Sequence, residues 1–347
     1  MACAVTWGLW ATMLGLTPSG TGTARQLSAR WDADMRVDPE LTAVAATRAR
    51  EVLHRRAGPT SRWLDRLKQT RLGDAHLSPW MATGTDPARL LNRVAVLARP
   101  DDGPQPTHVG AGWAEHGGRW ALVVLLAHRW VEWRVVRTKR GILAARGRPL
   151  RGLTEPGLEV LRLGPCSAGD CAIDRTKSSP PYRIALGAPG TGGGFRSVEV
   201  LAETRFGPTV VGLWWFGTPP STPFADAPAV DWPGLARRSV GLPAPTRNPR
   251  LERAATLHAR RICPGRWAAH RLGTRDSPAA RARAQGYLAA VGENVAMAPT
   301  VARAHQNLWW SPAHRRLLTD PDVATFGVGR TRSGNRACVV QLFGFGP

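Results

Sequence analysis

The chain is poor in lysine, acid and cysteine. Lys68, Lys139 and Lys177 are its lysines, although lysine and arginine together number 47 against 25 acidic residues, for a net charge of +22. The excess is therefore arginine, and it is spread along the whole chain. No dense basic run carries interleaved aromatics, which argues against a nucleic-acid site. A generally basic surface remains, and it draws anionic partners at long range. Five cysteines are few, and none form a Cys-x-x-Cys pair, so zinc-finger and thioredoxin readings have no support. Cys166 and Cys171 are close enough to close a small loop, and Cys263 and Cys338 lie near the two ends of a later region. Both pairings are open, as is a set of separate buried thiols. There is no Gly-x-Ser-x-Gly elbow, no His-Glu-x-x-His and no dinucleotide fingerprint. The Gly-rich stretch Gly187–Gly194 lacks the Lys-Ser/Thr of a phosphate loop and reads as a strand turn.

Also missing is any apolar run long enough to cross a bilayer, so no transmembrane span is expected. The short run Ala4–Leu16, followed by small polar residues to Thr23-Ala24, fits the apolar segment of a secretory signal. No Lys or Arg precedes it. Residues 1–24 are expected to be a signal peptide, which would remove Cys3 and send the chain to the cell envelope or beyond.

What is present is a large core. Hydrophobic residues make up 43% of the chain and tryptophans number 15, enough for two or three domains. Asp38-Pro39-Glu40-Leu41 and Asn248-Pro249-Arg250-Leu251 each place a capping side chain and a first-turn proline before Leu/Ala at helical spacing. Val109–Leu126 and Phe326–Phe343 each read as strand, glycine-containing turn and buried strand. Residues 31–129 are accordingly expected to be a degenerate copy of a domain at 231–347. Between them, residues 130–222 have the alternation and turn clusters of an all-β sandwich, with Val198 and Val200 set against Glu199 and Glu203. The Pro-rich stretch Thr218–Pro223 reads as a stiff linker and a boundary.

The last third holds, in order, Asn248-Pro249-Arg250-Leu251, His270, Gly292-Glu293-Asn294, Trp309-Trp310-Ser311-Pro312-Ala313-His314, Gly327-Val328-Gly329 and the run Val339–Phe343. This order resembles the CAP superfamily of cysteine-rich secretory, antigen and pathogenesis-related proteins, in its bacterial form. The resemblance implies an α+β fold, with an α-β-α sandwich in the C-terminal domain. It also implies a cleft lined by His270, Glu293 and His314 that can hold a divalent ion such as zinc. Neutral imidazoles and a carboxylate are suitable ligands for such an ion. A second glutamate, which animal members place after a cleft tryptophan, is not found; Ser311 falls near that place. The expected function is binding of an anionic envelope polymer, a lipid or a protein. The alternatives are a metal-assisted hydrolase with Glu293 as general base and a structural adhesion module. His258 and His305 lie in helical segments and read as surface or packing residues.

Overall fold

The computed structural model describes residues 18–346, except 32–34, 55–62, 64–66, 68–71, 75, 98–104, 138–142, 168–169, 188–193, 221, 223–230, 266, 274 and 335. The apolar run Ala4–Leu16, and Ser221 and Pro223 of the expected linker, lie outside the described residues. The fold is α+β. Contacts divide the chain into two compact units, 1–63 with 76–129 and 64–75 with 130–347.

The first unit contains α1 (Gly20–Trp31), β1 (Arg36–Val37), α2 (Pro39–Leu53), β2 (Leu77–Gly84), α3 (Pro87–Leu97), β3 (His108–His116) and β4 (Arg119–Ala127). Helix α2 starts where the Asp38 carboxylate accepts a hydrogen bond from the Leu41 amide, with Pro39 in the first turn. The sheet order is β1-β3-β4-β2, with β1 parallel to β3 and the other pairs antiparallel. Helix α2 lies so close to β3 that a Cβ at Gly112 would come within 2.0 Å of the Ala46 amide nitrogen. Helix α1 begins inside the segment expected to be a signal. Its Ala24 and Leu27 are buried in the unit's core, and the Trp113 indole donates to the Thr23 hydroxyl.

The second unit opens with the expected sandwich. Its strands are β5 (Val131–Arg137), β6 (Leu143–Pro149), β7 (Leu153–Ser167), β8 (Asp170–Ser178), β9 (Tyr182–Gly187), β10 (Phe195–Thr204) and β11 (Gly207–Phe216). One sheet runs β5-β6-β9 and the other β11-β10-β7-β8. Val131, Ala145 and Ile184 pack with Val160, Val198, Val200 and Trp214 in one core. Cys171 is disulfide-bonded and stands opposite Cys166 in the β7–β8 register.

The C-terminal part follows: α4 (Trp232–Arg238), β12 (Thr246–Arg247), α5 (Pro249–Ile262), α6 (Pro278–Ala284), β13 (Ala290–Ala298), α7 (Val301–Trp310), α8 (Pro312–Leu318), β14 (Thr325–Ser333) and β15 (Arg336–Phe345). Asn248 caps α5 as Asp38 caps α2. The sheet order is β12-β14-β15-β13, with a parallel first pair, which matches the first unit strand for strand. Close approach again depends on glycine: a Cβ at Gly329 would lie 2.2 Å from the backbone of Ala255 and Thr256. Leu251, Ala255 and Ile262 of α5 bury one face of the sheet against Val295, Val340 and Leu342. Ala304, Leu308 and Trp309 of α7 bury the other against Ala296, Val339 and Phe343. A Cys263–Cys338 disulfide ties the end of α5 to β15.

The core on the α7 side does not stop at the Pro-rich stretch. Leu163, Phe195 and Trp215 of the sandwich belong to it. The Phe195 and Trp310 rings meet edge to face at 5.2 Å, and the Ser197 hydroxyl donates to the Trp310 carbonyl. The sandwich and the C-terminal sheet thus share buried side chains within one unit, and that sharing shapes the site.

Candidate functional site

Three elements carry the expected residues: His270 on the loop between α5 and α6, Glu293 on β13, and His314 in the first turn of α8. Proline 312 cannot continue α7, so the chain breaks at Ser311 and restarts as α8. Ser311 caps the new helix, accepting from the His314 amide at 3.3 Å.

Glu293 is fully committed. Its side chain is 1% exposed. One oxygen accepts from His270 Nδ1 at 3.0 Å and the other from an Arg281 guanidinium nitrogen at 2.5 Å. Burial by itself would raise this carboxyl, but the His270 hydrogen bond and the charges of His270 and Arg281 outweigh it and hold the pKa below the ordinary value. Arg281 also donates to the His270 carbonyl and to Asp276, so it braces the loop that presents His270. Buried His258 lies 3.9 Å from Glu293 and bonds to the Ala269 carbonyl. Its pKa is lowered mainly by burial, against the pull of Glu293.

His314 bonds through Nδ1 to the Ser311 hydroxyl at 2.7 Å. Burial pushes its pKa down to about 3, and the charge of His270 adds to the shift. The two imidazoles are therefore electrostatic neighbours, and at neutral pH His314 is uncharged.

The sandwich supplies what the C-terminal sequence lacks. Glu199 of β10 is 2% exposed. Both of its oxygens lie 2.9 Å from the Ser311 hydroxyl, and one also accepts from the Ala313 amide. A carboxylate thus reaches the spot beside Ser311, but from a different sheet. Further along the same strand, Glu203 senses His270 and Arg271. Burial raises its pKa, and the nearby Glu155 adds to the rise. At the β10–β11 turn, a Cβ on Gly207 would sit 3.3 Å from His270 Cβ. Strand β10 therefore runs alongside both histidines.

Next to this arrangement is an open hollow of about 480 Å³, lined by Arg261, Leu272, Gly273, Arg275, Asp276, Ala280, Arg281 and Ala284. Asp276 also pairs with Arg261.

His270 and Glu293 are in direct contact, while His314 joins them through charge rather than through a bond. Among the described residues, no three or more of His, Cys, Asp and Glu are grouped as metal ligands. With both Glu293 oxygens engaged, the residues do not fit a three-ligand zinc site. Glu199 and Arg281 were not identified as site residues from sequence. The one available signal for Glu199 was the missing glutamate beside Ser311.

The family model of the cysteine-rich secretory proteins matches residues 235–343. The C-terminal third is a CAP domain. The chain is similar to an outer surface protein of Borrelia burgdorferi, at 24% identity over 33% of this chain and 86% of that one, with a TM-score of 0.30. It is also similar to an extracellular SCP-domain protein of Bacillus anthracis, at 14% identity over 62% and 86%, with a TM-score of 0.31. A cysteine-rich secretory protein of Staphylococcus aureus aligns at 10% identity over 72% and 91%, with a TM-score of 0.25. No curated protein matches at a significant level. Among the described residues, no helix is long and apolar enough to cross a membrane.

Proposed function

We propose that this is an exported protein whose CAP domain binds an anionic ligand of the cell envelope at the cleft of His270 and His314, with residues 31–129 as a degenerate copy that carries no site. The observation that carries binding over turnover is the state of Glu293. A general base needs an oxygen at liberty to take a proton, and both of its oxygens are engaged by His270 and Arg281. The identical strand order of the two sheets supports the duplication. Electrostatics support an anionic ligand. Residues 231–347 hold eighteen arginines against six acids, and of these arginines Arg237, Arg281 and Arg315 are buried. Most of the charge therefore faces water, where it attracts anions over a Debye length of about 8 Å at physiological salt.

Processing that leaves α1 intact must fall upstream of Gly20, because Ala24 is a core residue. N-terminal sequencing of the exported protein checks this; a start after Ala24 would contradict it.

Co-sedimentation with anionic vesicles and with isolated wall material, across a salt series, tests the binding. Pelleting is expected at low salt and should fall at least tenfold at high salt. The H270A/H314A double variant should lose the part of the binding that survives salt. Equal pelleting of the double variant at every salt concentration would remove the cleft from the interaction.

A further inference from the structure

The sandwich does more than share a core with the CAP domain. We propose that Glu199 is a positioning residue that fixes the proton of the His314 imidazole, acting through Ser311. The inference rests on the cleft reading above only for the use to which the imidazole is put.

The hydroxyl of Ser311 has one proton to give and two lone pairs to receive with. The lone pairs face the His314 amide at 3.3 Å and His314 Nδ1 at 2.7 Å. The proton faces Glu199, with both oxygens 2.9 Å away. A carboxylate can only accept, and one of these oxygens already receives the Ala313 amide. If Ser311 instead gave its proton to His314, an ionised Glu199 would set both oxygens against hydroxyl lone pairs with no proton between them, a repulsive contact in a buried site. The satisfiable arrangement runs one way. Ser311 donates to Glu199, so the Ser311–His314 bond must be donated by Nδ1–H. Neutral His314 then carries its proton on Nδ1, and Nε2 keeps its lone pair.

His270 has its Nδ1 held by a shorter route, since it donates to the Glu293 carboxylate directly. The cleft therefore holds two imidazoles, each with Nδ1 backed by a glutamate. One glutamate comes from the CAP sheet and the other from the sandwich. On His314 this leaves Nε2 as an acceptor for a hydrogen-bond donor of the ligand. The β10 face that delivers Glu199 is set by packing on both sides: Val198 and Val200 are locked into the sandwich core, which turns Ser197 and Glu199 the other way.

The test is side-chain ¹⁵N NMR of the full-length protein labelled at histidine, at neutral pH and without ligand, with H314Q and H270Q used for assignment. Long-range proton–nitrogen correlations distinguish the two tautomers. Wild type is expected to show His314 protonated at Nδ1. E199A frees the Ser311 proton, so the two nitrogen resonances of His314 should exchange character toward the Nε2–H form, while those of His270 stay fixed. E199Q keeps an acceptor for Ser311 and should restore the wild-type pattern. Wild-type His314 protonated at Nε2 would overturn the proposal even if no variant folded. So would an unchanged His314 in E199A, or a change spread equally to His270, which would mark general loosening. Because no ligand is present, failure of the binding reading leaves this result untouched.

Discussion

Burial of an imidazole disfavours its charged form, and two histidines here show the effect strongly. His305, bonded to Gln341 inside the α7 layer, is pushed down to about 3 by burial and by the charge of Arg330. His314 reaches about 3 as well. The unfolded chain takes up protons on these groups near the ordinary 6.5, whereas the folded protein does not. Stability is thus fully present above about pH 6.5 and is lost as pH falls toward 3. Glu293, Asp276 and Asp38 have lowered values, so their contributions are present above about pH 4 and fade below it. The melting temperature is expected to fall continuously from pH 7 to pH 4, and the H305N variant should flatten the upper part of that slope. A melting temperature constant across this range would show that the two histidines are protonated without penalty.

Helices α2 and α5 each lie on their sheet over a Gly-x-Gly pair, which allows backbone to touch backbone. G329A should lower stability by more than about 2 kcal/mol, since overpacking a close contact costs on the order of 1–3 kcal/mol and the neighbour is main chain. G112A should behave alike in the first unit. G273A, where an added methyl meets nothing within 4 Å, should be near neutral. Chemical denaturation of the three variants decides. These pairs, like the Asp38 and Asn248 caps, were readable in the sequence because they are local: a cap, a proline and a turn act within a few residues. His270 beside Glu293 was reachable through the order of motifs. Glu199 was not. Alternation with Val198 and Val200 specifies a strand with two different faces, but it cannot say what covers the polar one. Here the cover is α8, brought from more than a hundred residues away. Nor was Arg281 legible, because its partner Glu293 is fixed by tertiary packing.

At the scale of the molecule, the CAP domain outlined by the family match does not coincide with the compact unit that contains it. Phe195 meets both Trp215 of the sandwich and Trp310 of the CAP domain edge to face, and Trp267 of the CAP loop packs against Trp130 of the sandwich. The Cys263–Cys338 bond closes a span of 75 residues, and loop-closure entropy for such a span is worth about 4 kcal/mol. Reduction, or the C263A/C338A pair, should lower the denaturation midpoint by a corresponding amount; an unchanged midpoint would mean that the unfolded chain is already restrained there. Strand β10 has a consequence of its own. Ser197, Val198, Glu199 and Val200 are four consecutive residues, all at or below 3% exposure. Most strands of a sandwich tolerate change at every second position. In a saturation-mutagenesis scan β10 should show no such rhythm, with even positions failing by loss of folding and Glu199 by loss of the cleft. The two halves of the second unit would then be inherited together, since neither can drift along this strand without the other.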